Sequence, residues 1–317
     1  MKISNSTVDT FMANKVIVFM DKEVRKYLLK VVHGLADVIP DRKFLEWSYY
    51  LEMNKKLDLD NPQTMNEKLQ WLKLNNHNPE LTDMVDKLRV KDIVSKRLGP
   101  EFVTPVLQVW DSVEEVDITN LPNQFVLKTN HSGGNTGVVI CKDKNNFSID
   151  DAKQKLSSSW KLDLYKRFRE WPYKNVKKKV FAEKYLGDNL SDYKFYCFNG
   201  YVDCCLVCVG RQEGKTKFYF FDKDWVRKKY NKSSLTVPED FTLPKPVNYE
   251  KMIEVAAELS KGLPIVRMDL FDVEGKIYFG EFTFYPGSGY DANRLPPADL
   301  YFGKMVDLSL VKDAPKQ

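Results

Sequence analysis

From Val24 to Val38 the apolar residues Val24, Tyr27, Leu28, Val31, Val32, Leu35 and Val38 return at three- and four-residue steps, the period of an amphipathic helix. This stripe is expected to pack on the rest of the protein; with Lys22, Arg25, Lys26 and Lys30 beside it, a membrane surface is the alternative. Helical spacing continues through WSYYLEMNKKL and NPQTMNEKLQWLKL, where Thr64 followed three residues later by Glu67 forms a capping-box signature. A further helix is predicted from about Thr82 to Leu98, stopped by Gly99-Pro100, because glycine favours a C-cap and proline cannot continue the hydrogen-bond ladder.

Beyond Pro100 the pattern changes to short β-rich runs: FVTPVLQVW, QFVLKTN, TGVVICK, VFAEKYL, YKFYCFNGYVDCCLVCVG, TKFYFFD and IVRMDLFDVEGKIYFGEFTF. Turn pairs at Asn199-Gly200, Glu213-Gly214 and Glu274-Gly275 join several of them into hairpins. Two helical stretches, about Ile149 to Trp160 and Tyr249 to Lys261, interrupt the runs. There is no internal repeat and no low-complexity linker, and the basic cluster from Lys177 to Lys179 reads as a solvated loop. Hairpins with helices set among them predict an α+β or mixed α/β fold with antiparallel sheets.

Composition adds bounds rather than identity. The chain has 317 residues, 43% hydrophobic and 29% charged, enough to bury a real core and to divide into two or three lobes. Lys and Arg number 49 against 44 Asp and Glu, and the resulting +5 suits phosphate-bearing ligands but falls short of a nucleic-acid binder. Five cysteines, an odd count without a cationic apolar leader, argue against a disulfide framework and for a reducing cytoplasm. Cys205 and Cys208 have C-x-x-C spacing inside the apolar run CCLVCV, where core packing is the expectation and metal or redox chemistry the alternative. No apolar stretch approaches the roughly 18 to 20 residues of a membrane span, VIVFM at Val16 to Met20 being a short run.

Candidate chemistry gathers in three segments. In FVLKTNHSGGNTGVVI a strand ending at Lys128 runs into a loop with Gly133, Gly134 and Gly137 before a second strand; glycines let amide groups close around phosphate oxygens and the lysine adds a compact positive charge. The spacing is neither a P-loop nor a dinucleotide fingerprint. In VRMDLFDVEGKIYFGEFTFYPGSGY a hairpin turning at Glu274-Gly275 brings Asp269 towards Glu281, a carboxylate pair suited to Mg²⁺, with Arg267 facing the same way as Asp269. In VFAEKYLGDNLSDYKFYCFNG an apolar strand, polar only at Glu183 and Lys184, precedes a loop where Asp188 or Asp192 is placed to accept from ribose hydroxyls. Each segment alone also reads as ordinary turn or surface hairpin. His33 and His77 are expected to be structural, while His131 lies inside the glycine segment with both readings open.

In order and spacing these segments resemble the ATP-grasp superfamily, and the resemblance begins at DKLRVKDIVSKRLGPEFVTPVL, which is similar to its Asp-Lys-x-x-x-Lys helix. The resemblance implies that Lys91 and Lys128 are phosphate lysines and that Ser132, Gly133, Gly134 and Gly137 belong to the mobile phosphate loop. It further implies Glu183, Lys184, Tyr185 and Leu186 as the adenine hinge, Asp192 as the ribose carboxylate, and Asp269 and Glu281 as magnesium ligands. Thr283 stands where many members carry a coordinating asparagine, and the loop from Gly187 to Ser191 is longer than in related ligases. Lys194 stands where related ligases carry a basic residue that reaches a phosphate or substrate carboxylate, while Arg267, by its strand facing, is placed to steady a phosphate or an acyl-phosphate oxygen. More narrowly, NPQTMNEKLQWLKL, KTNHSGG, DYKFYCFNG and GEFTFYPGSG resemble the TupA-like ATP-grasp group, associated with teichuronopeptide, capsule and exopolysaccharide synthesis.

What this implies is a helical region over 1–80, a small lobe over 81–184 with the phosphate loop and a large lobe over 185–317 with the metal hairpin, two antiparallel-sheet lobes with the nucleotide between them. The implied cofactors are ATP and Mg²⁺. The implied activity is carboxylate–amine ligation through an acyl phosphate, an amino acid or amine joining a uronic-acid carboxyl, with no nucleic-acid partner and an open oligomeric state; peripheral membrane contact through the N-terminal helix is the alternative that its own stripe leaves open. Two rivals remain. A glycosyltransferase using a nucleotide-sugar often carries an Asp-x-Asp run, and DLD at Asp58 to Asp60 reads as a turn before Pro62; a non-catalytic nucleotide-binding scaffold is the other.

Overall fold

The computed structural model describes residues 21–134, 136–188, 190–210 and 216–311; the run Val16 to Met20 and the predicted turn at Glu213-Gly214 lie outside them. Five helices come first: α1 (Lys22–Gly34), α2 (Asp41–Met53), α3 (Met65–Asn75), α4 (Glu80–Val85) and α5 (Arg89–Leu98). The capping box forms as expected, Thr64 Oγ1 accepting from Glu67 N at 3.3 Å and the Glu67 carboxylate accepting from Thr64 N at 2.9 Å. The stripe on α1 is divided. Val32 is buried and Leu28 half-buried, whereas Val24 and Tyr27 within the helix stay exposed, as do Leu35 and Val38, which lie beyond its end at Gly34.

The helix predicted from Thr82 to Leu98 is two helices. Asp86 adopts an extended conformation (ψ 111°), and its carboxylate accepts from Leu88 N at 2.9 Å and Arg89 N at 3.3 Å. A short acidic side chain that bonds its own downstream amides competes with the helical ladder. Its second oxygen accepts from Asn130 Nδ2 at 2.9 Å, so a residue far along the chain holds the side chain at the break.

A small sheet follows, from β1 (Val106–Trp110), β2 (Phe125–Thr129) and β3 (Val138–Cys141), then α6 (Ile149–Trp160) and α7 (Leu164–Phe168), then β4 (Val180–Lys184). Its order is β1-β4-β2-β3, all antiparallel. The remainder is β5 (Ser191–Phe198), β6 (Tyr201–Val209), β7 (Lys217–Asp222), β8 (Arg227–Lys228), α8 (Tyr249–Ser260), β9 (Val266–Val273), β10 (Lys276–Thr283) and α9 (Pro296–Met305). These strands make a six-stranded antiparallel sheet in the order β10-β9-β5-β6-β7-β8. Asn199-Gly200 and Glu274-Gly275 are two-residue hairpin loops with positive φ at both positions, the type I′ geometry that matches strand twist. The short elements α7 and β8, and the helix α9, have no counterpart in the sequence reading.

Two apolar clusters result. One lies behind the small sheet, with Trp110, Phe125, Leu127, Leu156 and Val180. The other joins α2, α3, α8 and α9 to the large sheet through Phe44, Leu69, Met252, Phe195 and Phe302. Cys197, Cys204 and Cys205 are buried in it, and burial pushes their thiols well above the usual range. Three residues apart on a strand, Cys205 and Cys208 point to opposite faces, so the C-x-x-C spacing makes no chelate and core packing holds for Cys205.

Candidate functional site

The two sheets face each other across a cavity of about 1440 Å³. On the small sheet, β2 pairs with β4 so that Val126 lies opposite Glu183 and Lys128 opposite Phe181; these four share a face, and all line the cavity. The alternate residues Phe125, Leu127, Val180 and Ala182 fill the apolar cluster behind. Lys91 enters from α5. Its Nζ donates to Thr104 O at 2.7 Å and to Glu183 Oε2 at 3.1 Å, while Lys128 Nζ pairs with Glu183 Oε1. Burial alone would raise the Glu183 carboxyl, but Lys128 and Lys91 outweigh it and hold the group below its usual range.

On the large sheet, the regular register of β9 and β10 is interrupted between Phe279 and Glu281. Up to Phe279, opposite Leu270, the pairing is regular; continued, it would set Gly280 against Asp269 and turn Glu281 to the core face beside Met268. The bulge sets Glu281 against Asp269 instead and gives Phe282 the core position. Glycine is needed there, because a Cβ on residue 280 would stand 2.9 Å from the Asp269 carbonyl oxygen.

Asp269 is buried and its carboxylate is held at both oxygens. Arg267 donates from Nε and Nη2, each at 2.7 Å, and Lys194 Nζ reaches Oδ2 while pairing with Asp192 at 2.6 Å. Burial would raise this carboxyl, yet Arg267 and Lys194 hold it below its ordinary value; burial likewise works against the Arg267 cation, and Asp269 outweighs it. Glu281 lies 3.6 Å from Arg267 Nη2 and 3.3 Å from Lys87 Nζ, with Thr283 Oγ1 at 3.5 Å. Two neighbouring carboxylates and a hydroxyl form an all-oxygen set, the donor chemistry a hard divalent cation takes, with water and phosphate oxygens to complete its shell. No cluster of three or more His, Cys, Asp or Glu suited to a metal exists among the described residues.

The cavity thus brings together Lys91, Lys128, Gly134, Glu183, Lys184, Tyr185, Leu186, Asp192, Lys194, Arg267, Asp269 and Glu281. Ser132, Gly133, Gly137 and Thr283 are not in its lining. Ser132 is buried, its Oγ accepting from Thr129 Oγ1 at 2.8 Å. Gly137 (φ 76°) presses on Thr129 and Ser159 so closely that a Cβ would meet Ser159 Oγ at 2.2 Å. His131 packs edge-on against Trp160 outside the lining, and burial, helped by Lys178, pushes its imidazole down to about 4. Asp188 lines the cavity too, paired with Lys142.

Sequence reasoning missed Lys87. The break at Asp86 frees it from a helical face, and its Nζ donates to the Ser132 carbonyl and pairs with Glu281, tying the base of the glycine loop to the opposite sheet. Its signal was the Asp-Lys pair opening the quoted motif. Also missed was the loop after β10. Asn66, Gln70 and Lys73, at i, i+4 and i+7 on one face of α3, hold it: Asn66 Oδ1 accepts from Asp291 N at 3.2 Å, Gln70 Nε2 donates to Gly289 O at 2.9 Å, and Lys73 Nζ to Ser288 O at 2.8 Å. Gly287 and Asp291 of that loop line the cavity.

Opposed antiparallel sheets, lysines and a glycine loop on one, a carboxylate pair on the other, define an ATP-grasp fold. Residues 67–306 match the model of the TupA-like ATP-grasp family, and the chain belongs to that family, among the ATP-grasp ligases. Solved structures similar to it include D-alanine–D-alanine ligase from Helicobacter pylori, 17% identical over 79% of this chain and 69% of that one, with a TM-score of 0.43. The D-alanine–D-alanine ligase of Bacillus anthracis complexed with ATP is 15% identical over 78% and 72%, TM-score 0.43. D-alanyl-alanine synthetase A of Vibrio cholerae O1 biovar eltor is 13% identical over 79% and 72%, TM-score 0.44. No curated protein matches the sequence.

Proposed function

We propose that the protein is an ATP- and magnesium-dependent carboxylate–amine ligase that forms an amide through an acyl phosphate. The observation that carries this reading is the convergence, in one cavity, of Lys91, Lys128, Lys194 and Arg267 with the Asp269–Glu281 pair. Its volume of about 1440 Å³ exceeds the roughly 300–1,000 Å³ of common single-ligand pockets, which supports room for a second substrate. In this reading residues 81–184 form the lobe that binds phosphates and residues 185–317 the lobe that binds metal, with Tyr185 and Leu186 against the adenine and Asp192 at the ribose.

The substrate carboxylate attacks the γ-phosphorus of ATP; the bond to the β–γ bridging oxygen breaks, and ADP departs with that electron pair. Lys128 and Lys194 offset the charge on the transferring group, and Arg267, kept cationic by Asp269, orients the acyl phosphate. The amine then attacks the acyl carbon, inorganic phosphate leaves, and the new amide nitrogen loses a proton. Asp269 and Glu281, with the Thr283 hydroxyl nearby, are the residues that would hold magnesium, which when bound neutralises phosphate charge. No side-chain nucleophile is required.

For substrates we propose an amino acid or other amine and a uronic-acid carboxyl in capsule or exopolysaccharide synthesis, on the strength of the family association. The exposed Val24, Tyr27, Leu35 and Val38 near exposed Lys22, Lys26 and Lys30 support peripheral membrane contact in the cytoplasm. No helix among the described residues is long and apolar enough to cross a membrane. The glycosyltransferase alternative loses its motif: Asp58 caps its own turn, accepting from Asn61 N at 2.9 Å, and Asp60 pairs with Arg42 at 2.6 Å, both outside the cavity lining. The test is the unfolding midpoint with and without a non-hydrolysable ATP analogue, each with and without Mg²⁺, beside a panel of nucleotide-sugars. A magnesium-dependent rise with the analogue supports the ligase, and ligand at a hundred times its Kd adds about 2.7 kcal/mol. A rise with a nucleotide-sugar alone overturns it.

A further inference from the structure

Asp291 lines the cavity but has no part in the reaction as set out above. Its place follows from the strand register. Across β5 and β9, Asp192 stands opposite Phe271, Lys194 opposite Asp269 and Tyr196 opposite Arg267, each rung two residues and about 6.7 Å beyond the last. In the ligase reading these rungs meet the ribose, the metal and the acyl phosphate in turn. Tyr196 carries the row on to the turn at 291–294: burial pushes its phenol up, Arg294 and Arg267 pull it down, and Asp291 adds to the rise. Because the carboxylate attacks phosphorus opposite the departing ADP, the acyl carbon lies on the side away from ADP, and an amine has to approach it from beyond Arg267.

The Asp291 side chain is held for such a role. Its Oδ1 accepts from Asn293 N at 3.0 Å and Arg294 N at 3.2 Å, and its own N donates to Asn66 Oδ1 at 3.2 Å. Oδ2 lies 3.3 Å from Arg294 Nη2, an ion pair without a hydrogen bond. That guanidinium is shared, since its Nη1 donates to Asp299 Oδ1 at 3.0 Å, so two carboxylates face one cation and a negative charge is left over. Arg294 is closed off at 0% side-chain exposure and Asp299 nearly so at 12%, whereas Asp291 is open at 26%, so the surplus charge is presented to the cavity through Asp291.

We infer that Asp291 docks the amine substrate as its ammonium ion, beside the rung that holds the acyl phosphate. The inference rests on the ligase reading above, and it selects amines that arrive as cations. Asp291 is given docking alone: the docked ammonium passes one proton to water, and the freed lone pair then forms the bond to the acyl carbon.

The test is steady-state ADP release and product formation by wild type and Asp291→Asn with MgATP. The carboxylate probes are D-glucuronate and D-galacturonate, and the amine probes are the common amino acids and ethanolamine. Hydroxylamine, largely uncharged near neutral pH, traps the acyl phosphate as a hydroxamate with no need of a cation site. The expected result is an amine KM raised about tenfold or more in Asp291→Asn, with the KM for ATP and for the uronate within about twofold of wild type and hydroxamate formation reduced far less than amide formation. An unchanged amine KM overturns the inference, as does an equal loss of amide and hydroxamate. A wild type that forms hydroxamate but joins none of the amine probes also overturns it, while leaving the ligase reading in place. Should Asp291→Asn fail to fold, Asp291→Ser removes the charge and keeps an oxygen able to accept from the same amides; a raised amine KM then supports docking and a wild-type value overturns it. A wild type that forms no hydroxamate with either uronate overturns the uronate ligase reading itself, and this inference with it.

Discussion

The two sheets that wall the cavity place their charges in different ways. In the small sheet plain alternation suffices: β2 and β4 pair without irregularity, so Lys128 and Glu183 face the cavity while Leu127 and Ala182 face the apolar cluster. In the large sheet alternation alone would turn Glu281 on β10 into the core, and a bulge at Gly280 is what returns it to the cavity beside Asp269. The charges differ as well. Lys91 and Lys128 outnumber Glu183 by one on the small-sheet side, whereas Asp192, Asp269 and Glu281 on the large sheet meet Lys194, Arg267 and, reaching across, Lys87, three charges of each sign. A surplus cation on one wall opposite a carboxylate pair on the other suits a ligand whose phosphates are drawn to one wall and whose metal is drawn to the other.

The sharpest way to break this comparison is Glu281→Gln, which keeps size and removes one charge of the carboxylate pair. ADP release with the carboxylate and amine found by screening is expected to fall by about a hundredfold or more, with the unfolding midpoint little changed. Unchanged turnover would remove Glu281 from the reaction. Next comes the bulge itself. Gly280→Ala sets a Cβ 2.9 Å from the Asp269 carbonyl oxygen and 3.0 Å from the Phe271 ring, and relieving that overlap is expected to cost about 1–3 kcal/mol and several degrees of unfolding midpoint. Magnesium should lose much of its effect on nucleotide binding in this variant; an unaltered midpoint and metal response would show that β10 tolerates a side chain there.

Lys128→Ala acts on the other wall. Binding of the ATP analogue is expected to weaken about tenfold by titration calorimetry while its dependence on Mg²⁺ persists, because the carboxylate pair is untouched. Loss of the metal response together with affinity would mean the two walls do not divide the work. The smallest effect is on pH. Asp269 has a carboxyl held below its ordinary value of 3.8, so its ion pairs with Arg267 and Lys194 stabilise the fold fully above that value, and the contribution is lost as the pH falls through the lower folded value. Unfolding midpoints measured from about pH 6 to about pH 2.5 should therefore decline at the acid end, and less steeply in Asp269→Asn. Equal slopes would assign the acid loss to other carboxylates.

Local signals were legible in the chain. The capping box at Thr64 and Glu67, the type I′ turns at Asn199-Gly200 and Glu274-Gly275, and the helix Ile149–Trp160 all follow from residues a few positions apart, whose preferences act before any distant contact forms. The carboxylate pair was half legible: the turn predicts that Asp269 and Glu281 approach, but the bulge that makes them face one way lies in the shift of the apolar positions from Ile277 and Phe279 to Phe282. Other features depended on partners far along the chain. Asp86 breaks its helix with Asn130 as a partner, Glu183 turns to Lys91 and Lys128, and the loop at Ser288 is held by a face of α3. The sequence by itself determined which segments are helices, strands and tight turns, because those choices rest on local backbone preference and period. Only the tertiary structure decided which charged side chains meet, because the choice of partner depends on sheet register and on burial that removes competing water.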